Sequence, residues 1–247
     1  MLSMKQVSKT YSDGTHALKG ISLELPYGMI GLLGPNGAGK STLMRTLACL
    51  QYADKGMITF DGIDLKSDPD KLRNCLGYLP QYFGVYPNMS CFALLEHMAI
   101  LKGLSKEVRK KQIPELLKLT NLYDVSHKRV DKFSGGMKQR FGIAQALLGN
   151  PKIIIMDEPT SGLDPVERAK FQNLLVEISK EKLILLSTHI VEDIENLCNH
   201  VAILMDGEIV DSNDVKSLIE PLAGHIWQAY EEPKQSKYVM ILNKTYR

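Results

Sequence analysis

Apolar positions along the chain come in short runs rather than long stripes. Ile21–Leu25, Met29–Leu33, Met57–Phe60, Ile153–Met156, Leu183–Leu186 and Val201–Met205 are each four or five residues long, which suits strands rather than helices. Helical patterns separate several of them. Strands buried between helices predict an α/β protein with a largely parallel central sheet. Val201–Met205, Asp206-Gly207 and Glu208–Asp211 read as strand, turn and strand, because Asp-Gly favours a type I′ turn. Phe60-Asp61-Gly62-Ile63 is a weaker version of the same signal. The first 30 residues also read as strands and turns, which predicts an antiparallel layer at the amino end.

From about Tyr82 to Gly149 the texture changes. Convincing strands are missing, and Cys91–Leu101 and Ser105–Leu119 have helical patterns. Pro114 is expected to interrupt or kink the second. Gly136–Leu148 is expected to be amphipathic, with Met137, Phe141, Ala144 and Leu148 on one face. This stretch reads as a helical insertion between two sheet-building parts.

At 247 residues the chain is long enough for a sizeable core. Its 44% hydrophobic and 23% charged residues are ordinary globular values. No apolar run approaches the roughly 20 residues of a spanning helix, and no apolar signal follows Met1. The cytosol is the default compartment. Thirty basic residues nearly balance 28 acidic ones, giving +2, with no basic stripe. A primary nucleic-acid role is therefore not suggested. The short basic patch Lys106–Lys111 reads as a solvated helix face. Cys49, Cys75, Cys91 and Cys198 form no C-x-x-C pair and have no His at metal-ligand spacing. They read as reduced, buried or half-buried thiols.

Gly34-Pro35-Asn36-Gly37-Ala38-Gly39-Lys40-Ser41 fits G-x-x-x-x-G-K-[ST], between the apolar run Met29–Leu33 and a helical run Thr42–Cys49. Glycines let backbone N–H groups curl toward phosphate oxygens, and the following helix presents its positive end to the same phosphates. Lys40 supplies a positive charge, and the Ser41 hydroxyl is a hard oxygen ligand suited to Mg²⁺. The alternative, a Gly-rich strand-to-helix turn without a ligand, is disfavoured by the Lys and Ser together.

Ile153–Met156 runs into Asp157-Glu158. Side chains alternate along a strand, so the two carboxylates are expected to face different directions. Ligands of open α/β sheets sit at strand carboxyl ends. Asp157 suits the metal shell and Glu158 the base or water-positioning role.

With these residues in place, the chain resembles the nucleotide-binding subunit of ABC transporters. Lys132-Phe133-Ser134-Gly135-Gly136-Met137-Lys138-Gln139-Arg140 is similar to that family's signature, and Ser134 lies 23 residues before Asp157 (157 − 134). Tyr11 resembles the aromatic that stacks on adenine, Gln81 the glutamine that senses metal and γ-phosphate, and His189 the histidine that reaches the γ-phosphate. Ser161-Gly162-Leu163-Asp164 resembles the loop after the catalytic glutamate. The resemblance covers roughly residues 1–215. It implies a P-loop NTPase fold, ATP and Mg²⁺ as cofactors, and nucleotide contacts from Tyr11 and Gly34 through Thr42. It also implies Mg²⁺ held by Ser41, Gln81 and Asp157, and catalysis by Glu158, His189 and Gln81. The signature Ser134, Gly135, Gly136 and Met137 would address the ATP of a second ATPase subunit, identical or paralogous, with Asp164 in the dimer-interface loop.

Phe133 and Met137 depart from the commonest signature, LSGGQ. Met137 lacks the hydrogen bonds of a glutamine side chain. The Ser134 hydroxyl and the N–H groups of Gly135 and Gly136 remain. The Gly-Gly-Met-Lys-Gln-Arg variant resembles multidrug and peptide-antibiotic export subunits. Bland readings stand beside each role. Tyr11 suits a surface turn, Gln81 loop filler after Pro80, His189 an ordinary first helical turn, and Asp164 a cap before Pro165.

The reading is an ATPase that powers a separate integral membrane permease from the cytoplasmic face of the membrane, as a peripheral subunit. The alternative is a soluble ABC-type ATPase uncoupled from transport. The expected organisation is one ATPase domain over 1–220, with the helical part at about 82–149, and an extension 221–247 of unassigned role. The loop Tyr82-Phe83-Gly84-Val85-Tyr86-Pro87, with three aromatics in six residues, admits two readings. Either its rings line a groove for the permease, or they pack the insertion against the sheet.

Overall fold

A computed structural model describes residues 1–219. The extension 221–247, with the strand-like composition of His225–Tyr230 and Lys237–Asn243, lies outside the described residues. The chain opens with β1 (Leu2–Thr10), β2 (His16–Leu25), β3 (Gly28–Leu33), α1 (Lys40–Leu47), β4 (Lys55–Phe60) and β5 (Ile63–Asp64). It continues through α2 (Pro69–Cys75), β6 (Leu76–Leu79), α3 (Cys91–Leu101), α4 (Lys106–Leu119) and α5 (Gly135–Ala146). The last part holds β7 (Ile153–Asp157), α6 (Pro165–Ile178), β8 (Leu183–Thr188), α7 (Val191–Leu197), β9 (His200–Met205), β10 (Glu208–Asp214) and α8 (Val215–Ile219).

Four strands form an antiparallel sheet in the order β2-β1-β4-β5, the layer expected at the amino end. Six form the main sheet, β10-β9-β3-β8-β7-β6, parallel throughout except for the edge pair β9–β10. The alternation of side chains along its inner strands divides the interior in two. Met29, Ile154, Met156, Ile184, Leu186 and Val201 point into a core shared with the helical part. Ile30, Leu32, Ile153, Ile155, Leu183 and Leu185 point the other way, into a core shared with α1 and the antiparallel sheet. Each fully buried aliphatic side chain stabilises the fold by about 1.5–3 kcal/mol. Strands wet on neither face explain why these runs are continuously apolar.

Both predicted Asp-Gly hairpins form. Asp61 and Gly62 have φ of 48° and 81°, and Asp206 and Gly207 have 48° and 82°, the paired positive values of a type I′ turn. They close Phe60 on Ile63 and Met205 on Glu208.

Two local expectations need correction, and one strand has no counterpart among the predicted elements. Pro114 does not break α4, which runs unbroken from its Ser105 cap to Leu119. Buried Ile113, Leu116 and Leu117 flank the proline and hold the helix together despite the missing N–H. The signature helix α5 is not one-faced: Phe141, Gly142, Ile143, Ala144 and Ala146 are all buried, because sheet and insertion cover it from several sides. The short strand β6 carries no apolar run of its own. It pairs with β7, and its Gly77 is needed because a Cβ there would collide with the Ala146 carbonyl oxygen.

Candidate active site

Strand register alone brings the motifs together. The pairs Leu33↔Thr188, Asp157↔Ser187 and Leu79↔Met156 end the parallel ladders. The residues that follow, Gly34, His189, Glu158 and Pro80-Gln81, therefore leave neighbouring strands at the same edge of the sheet. That is the carboxyl edge, where open α/β sheets bind ligands.

From β3 the chain turns through Gly34–Gly39 into α1. Gly37 and Gly39 have φ of 83° and 106°, values that side chains rarely adopt. A Cβ at Gly34 would strike the Leu204 carbonyl oxygen, and one at Gly39 would lie 2.5 Å from the Ala17 carbonyl oxygen. The Asp206-Gly207 turn braces the loop from behind. Gly207 N donates to Ala38 O at 3.0 Å, and Lys19 N donates to Gly207 O at 2.8 Å. Lys40 is buried, and its Nζ donates to the carbonyl oxygens of Gly34 at 2.7 Å and Pro35 at 3.0 Å. Burial holds its ammonium below the usual lysine range, opposed by the charges of Glu158 and Asp157. Among the described residues, the N–H groups of Gly37, Gly39, Lys40 and Ser41 meet no protein acceptor. This cradle of open donors beside a lysine and a helix start fits a polyphosphate.

Asp157 and Glu158 do face different ways. Asp157 is buried, and its Oδ1 accepts from Ser187 Oγ at 2.6 Å. Glu158 has φ of 46°, rare for a side-chain-bearing residue, and its N donates to Ser187 O and Oγ, both at 3.1 Å. That twist turns its carboxylate outward. Oε2 accepts from Gln81 Nε2 at 3.0 Å, and Oε1 lies 3.2 Å from His189 Nδ1. The fixed carboxylate is thus held at one oxygen by an amide and at the other by an imidazole, an arrangement able to orient a water and take its proton. Ser41, Gln81 and Asp157 offer hydroxyl, amide and carboxylate oxygens. No cluster of three or more His, Cys, Asp or Glu ligands exists among the described residues. Such a donor set fits Mg²⁺, which takes few protein ligands alongside phosphate oxygens and water.

Tyr11 follows β1, and its hydroxyl lies 3.1 Å from Thr42 Oγ1 and 3.4 Å from Gln51 Oε1. Gln51 in turn donates to Thr42 O and Thr46 Oγ1, both at 3.0 Å. The ring therefore flanks the first turns of α1.

The signature segment lies on the helical insertion. Ser134 caps α5, its Oγ accepting from Met137 N at 3.3 Å. Phe133 is buried, and Met137 packs against the core. A Cβ at Gly135 would meet open space, whereas one at Gly136 would strike the Glu167 carboxylate, which Arg140 grips from the same helix. Asp164 caps α6 by accepting from Glu167 N at 2.9 Å. Among the described residues, no hydrogen bond joins Ser134, Gly135 or Gly136 to the phosphate loop. Sequence reasoning missed Ser187, Gln51 and Glu167. Only Glu167 left a trace, three residues after its capping Asp164.

The family description "ABC transporter" matches residues 18–161. The chain is 40% identical to YxlF of Bacillus subtilis, an ABC transporter ATP-binding protein, over 88% of this chain and 72% of that one. It is 39% identical to the methionine import ATP-binding protein MetN of Chromohalobacter salexigens, covering 87% of this chain and 65% of that protein. The probable multidrug ABC transporter ATP-binding protein YbhF of Escherichia coli is 38% identical, but the chain spans only 34% of it. The dimeric post-hydrolysis structure of the ATP-binding cassette MJ0796, bound to ADP and Pi, superposes with a TM-score of 0.78 at 30% identity. It covers 87% of this chain and 99% of that one.

Proposed function

The chain belongs to the ABC transporter family of ATP-binding, ATP-hydrolysing proteins, and on that premise we propose that it powers a separate integral membrane permease exporting a drug, peptide or antibiotic. The observation that carries the ATPase part is the placement of one carboxylate, Glu158, between Gln81 and His189 at the edge that also carries Lys40.

In this reading the chain is one ATPase domain over 1–220, with its helical part at about 82–149. The N–H groups of Gly37, Gly39, Lys40 and Ser41 bind the phosphates of ATP, and Lys40 exchanges its loop carbonyls for phosphate oxygens. Tyr11 faces the adenine. Ser41, Gln81 and Asp157 hold Mg²⁺, which neutralises phosphate charge when bound. Glu158 accepts the proton of the attacking water, and His189 keeps the carboxylate aimed and reaches toward the γ-phosphate. The chain carries one phosphate loop and one signature, and the two are not hydrogen-bonded to each other. A second ATPase subunit, identical or paralogous, therefore completes the site with its own Ser134 segment, its Asp164 loop lining the seam.

Support for export comes from the Gly-Gly-Met-Lys-Gln-Arg signature and from the multidrug relative. The MetN relative favours an import reading. On the family resemblance we place the subunit peripherally on the cytoplasmic face; among the described residues no helix is long and apolar enough to cross a membrane. The test is to purify the tagged chain from its native membranes in mild detergent. A stoichiometric integral membrane protein, and transport by that complex in proteoliposomes with a measured direction, is the expected result. Recovery of the tagged chain without any integral membrane protein supports the uncoupled ATPase instead.

A further inference from the structure

The side chain of Asp193, in α7, is fully buried at 0% exposure. No cation pairs with it among the described residues. Three neutral donors hold it instead. Thr160 Oγ1 donates to Oδ2 at 2.5 Å, Thr188 Oγ1 donates to the same oxygen at 3.3 Å, and Gln172 Nε2 donates to Oδ1 at 3.0 Å. Burying a carboxylate without a cation is costly, and an apolar side chain of similar size would often serve stability better. Its partners explain the location. Thr160 lies two residues after Glu158, Thr188 immediately precedes His189, and Gln172 belongs to α6, which Asp164 caps. The Thr188 hydroxyl also accepts from Ile190 N at 3.0 Å, so the backbone is held on both sides of His189.

We propose that Asp193 is a positioning residue for hydrolysis. Its carboxylate fastens the turn after Glu158 to the turn that carries His189, and both to α6, so that Glu158 and His189 meet at a fixed separation. This rests on the reading of Glu158 and His189 as the reacting pair. Among the described residues, neither Asp193 nor its three donors is hydrogen-bonded to the phosphate loop. Removing the link therefore displaces the pair and leaves nucleotide binding intact.

The test uses the full chain with MgATP. Asp193→Asn removes the charge in the same shape, and Thr160→Val removes one donor in the same shape. Steady-state hydrolysis, titration with a fluorescent ATP analogue and a thermal melt are measured on each preparation. The expected result is a fall in kcat on the order of tenfold to a hundredfold, the cost of about 1 Å of misplacement. KM and analogue affinity should stay within about twofold, and the double variant should fall no further than the worse single one, as for two parts of one network. A folded Asp193→Asn with wild-type kcat overturns the proposal, and so do losses that multiply in the double variant. If Asp193→Asn fails to fold, Thr160→Val decides by the same readouts. Glu158→Gln is run alongside: turnover there overturns the catalytic reading itself, whereas a dead Glu158→Gln beside an unimpaired Thr160→Val overturns only the role of Asp193.

Discussion

Gln81 Nε2 donates to Glu158 Oε2 at 3.0 Å across 77 residues of sequence. This one hydrogen bond ties the root of the helical insertion to the proposed base, so a change felt by either is felt by both. Gln81→Ala is expected to lower kcat while leaving the fold intact. Glu158→Gln should keep ATP binding and cut turnover by on the order of 10²–10⁴-fold, the usual weight of a general base. Size exclusion with MgATP should show that variant as a dimer, since the amide relieves negative charge at the seam. A monomer under those conditions, even with its permease supplied, would contradict the two-subunit site.

Lys40→Ala should abolish hydrolysis and weaken nucleotide binding, as measured by ATPase assay and analogue titration. Lys40 also predicts a pH dependence. Burial lowers its pKa in the free protein, and a polyphosphate alongside would raise it. Affinity is then full below the free-protein value and declines as pH rises from there toward the bound value. Affinity that increased with pH across that window would contradict a charged Lys40 on the phosphates.

Gly135 and Gly136 are neighbours with opposite expectations. Gly135 opens onto free space, so Gly135→Asp should melt like wild type yet lose ATP-driven dimerisation and turnover. Gly136→Ala instead collides with Glu167 and should lower the melting temperature. Met137→Gln should hydrolyse ATP within about twofold of wild type. It gives up some packing of a partly buried side chain, on the order of 1 kcal/mol. Melts and ATPase rates on the same three preparations check all of this.

The aromatic loop divides between its two readings. Phe83 packs against the core, lying where a Cβ on Gly142 would be 3.0 Å from its ring. Phe83→Ala should therefore cost up to about 3 kcal/mol of stability. Tyr82 is 84% exposed and Tyr86 55%, the latter edge-on to His97 at 5.7 Å. Replacing these two with Ala should change stability by at most about 0.5 kcal/mol each and leave basal ATPase activity intact. Loss of transport in that double variant is expected; normal permease binding would remove the loop from the coupling surface.

The parts of the fold legible in the sequence were those in which one local signal sufficed. Runs buried on both faces announced β3, β7, β8 and β9, and Asp-Gly announced both hairpins. Motif order brought Gly34, Glu158 and His189 into view, because strand ends carry them to one edge. What stayed hidden depends on distant partners. Leu76–Leu79 is a strand only because β7 lies beside it. Pro114 stays helical because of what Ile113 and Leu116 pack against. Asp193 looks like an ordinary first-turn acid until Thr160, Gln172 and Thr188 close around it.

The phosphate loop has a back as well as a front, and its glycines answer to different sides. Gly37 faces outward with open space at its Cβ position, so its left-handed φ is its only constraint. Gly34 presses on Leu204 O and Gly39 on Ala17 O, backbone atoms that cannot step aside. A scan for tolerated residues would record a single glycine-rich block. Calorimetry without nucleotide would split it, with Gly34→Ala unfolding early and Gly37→Ala losing only about 1–2 kcal/mol of stability to backbone strain. The motif is in that sense two inscriptions written over each other, one addressed to the ligand and one to the neighbouring strands.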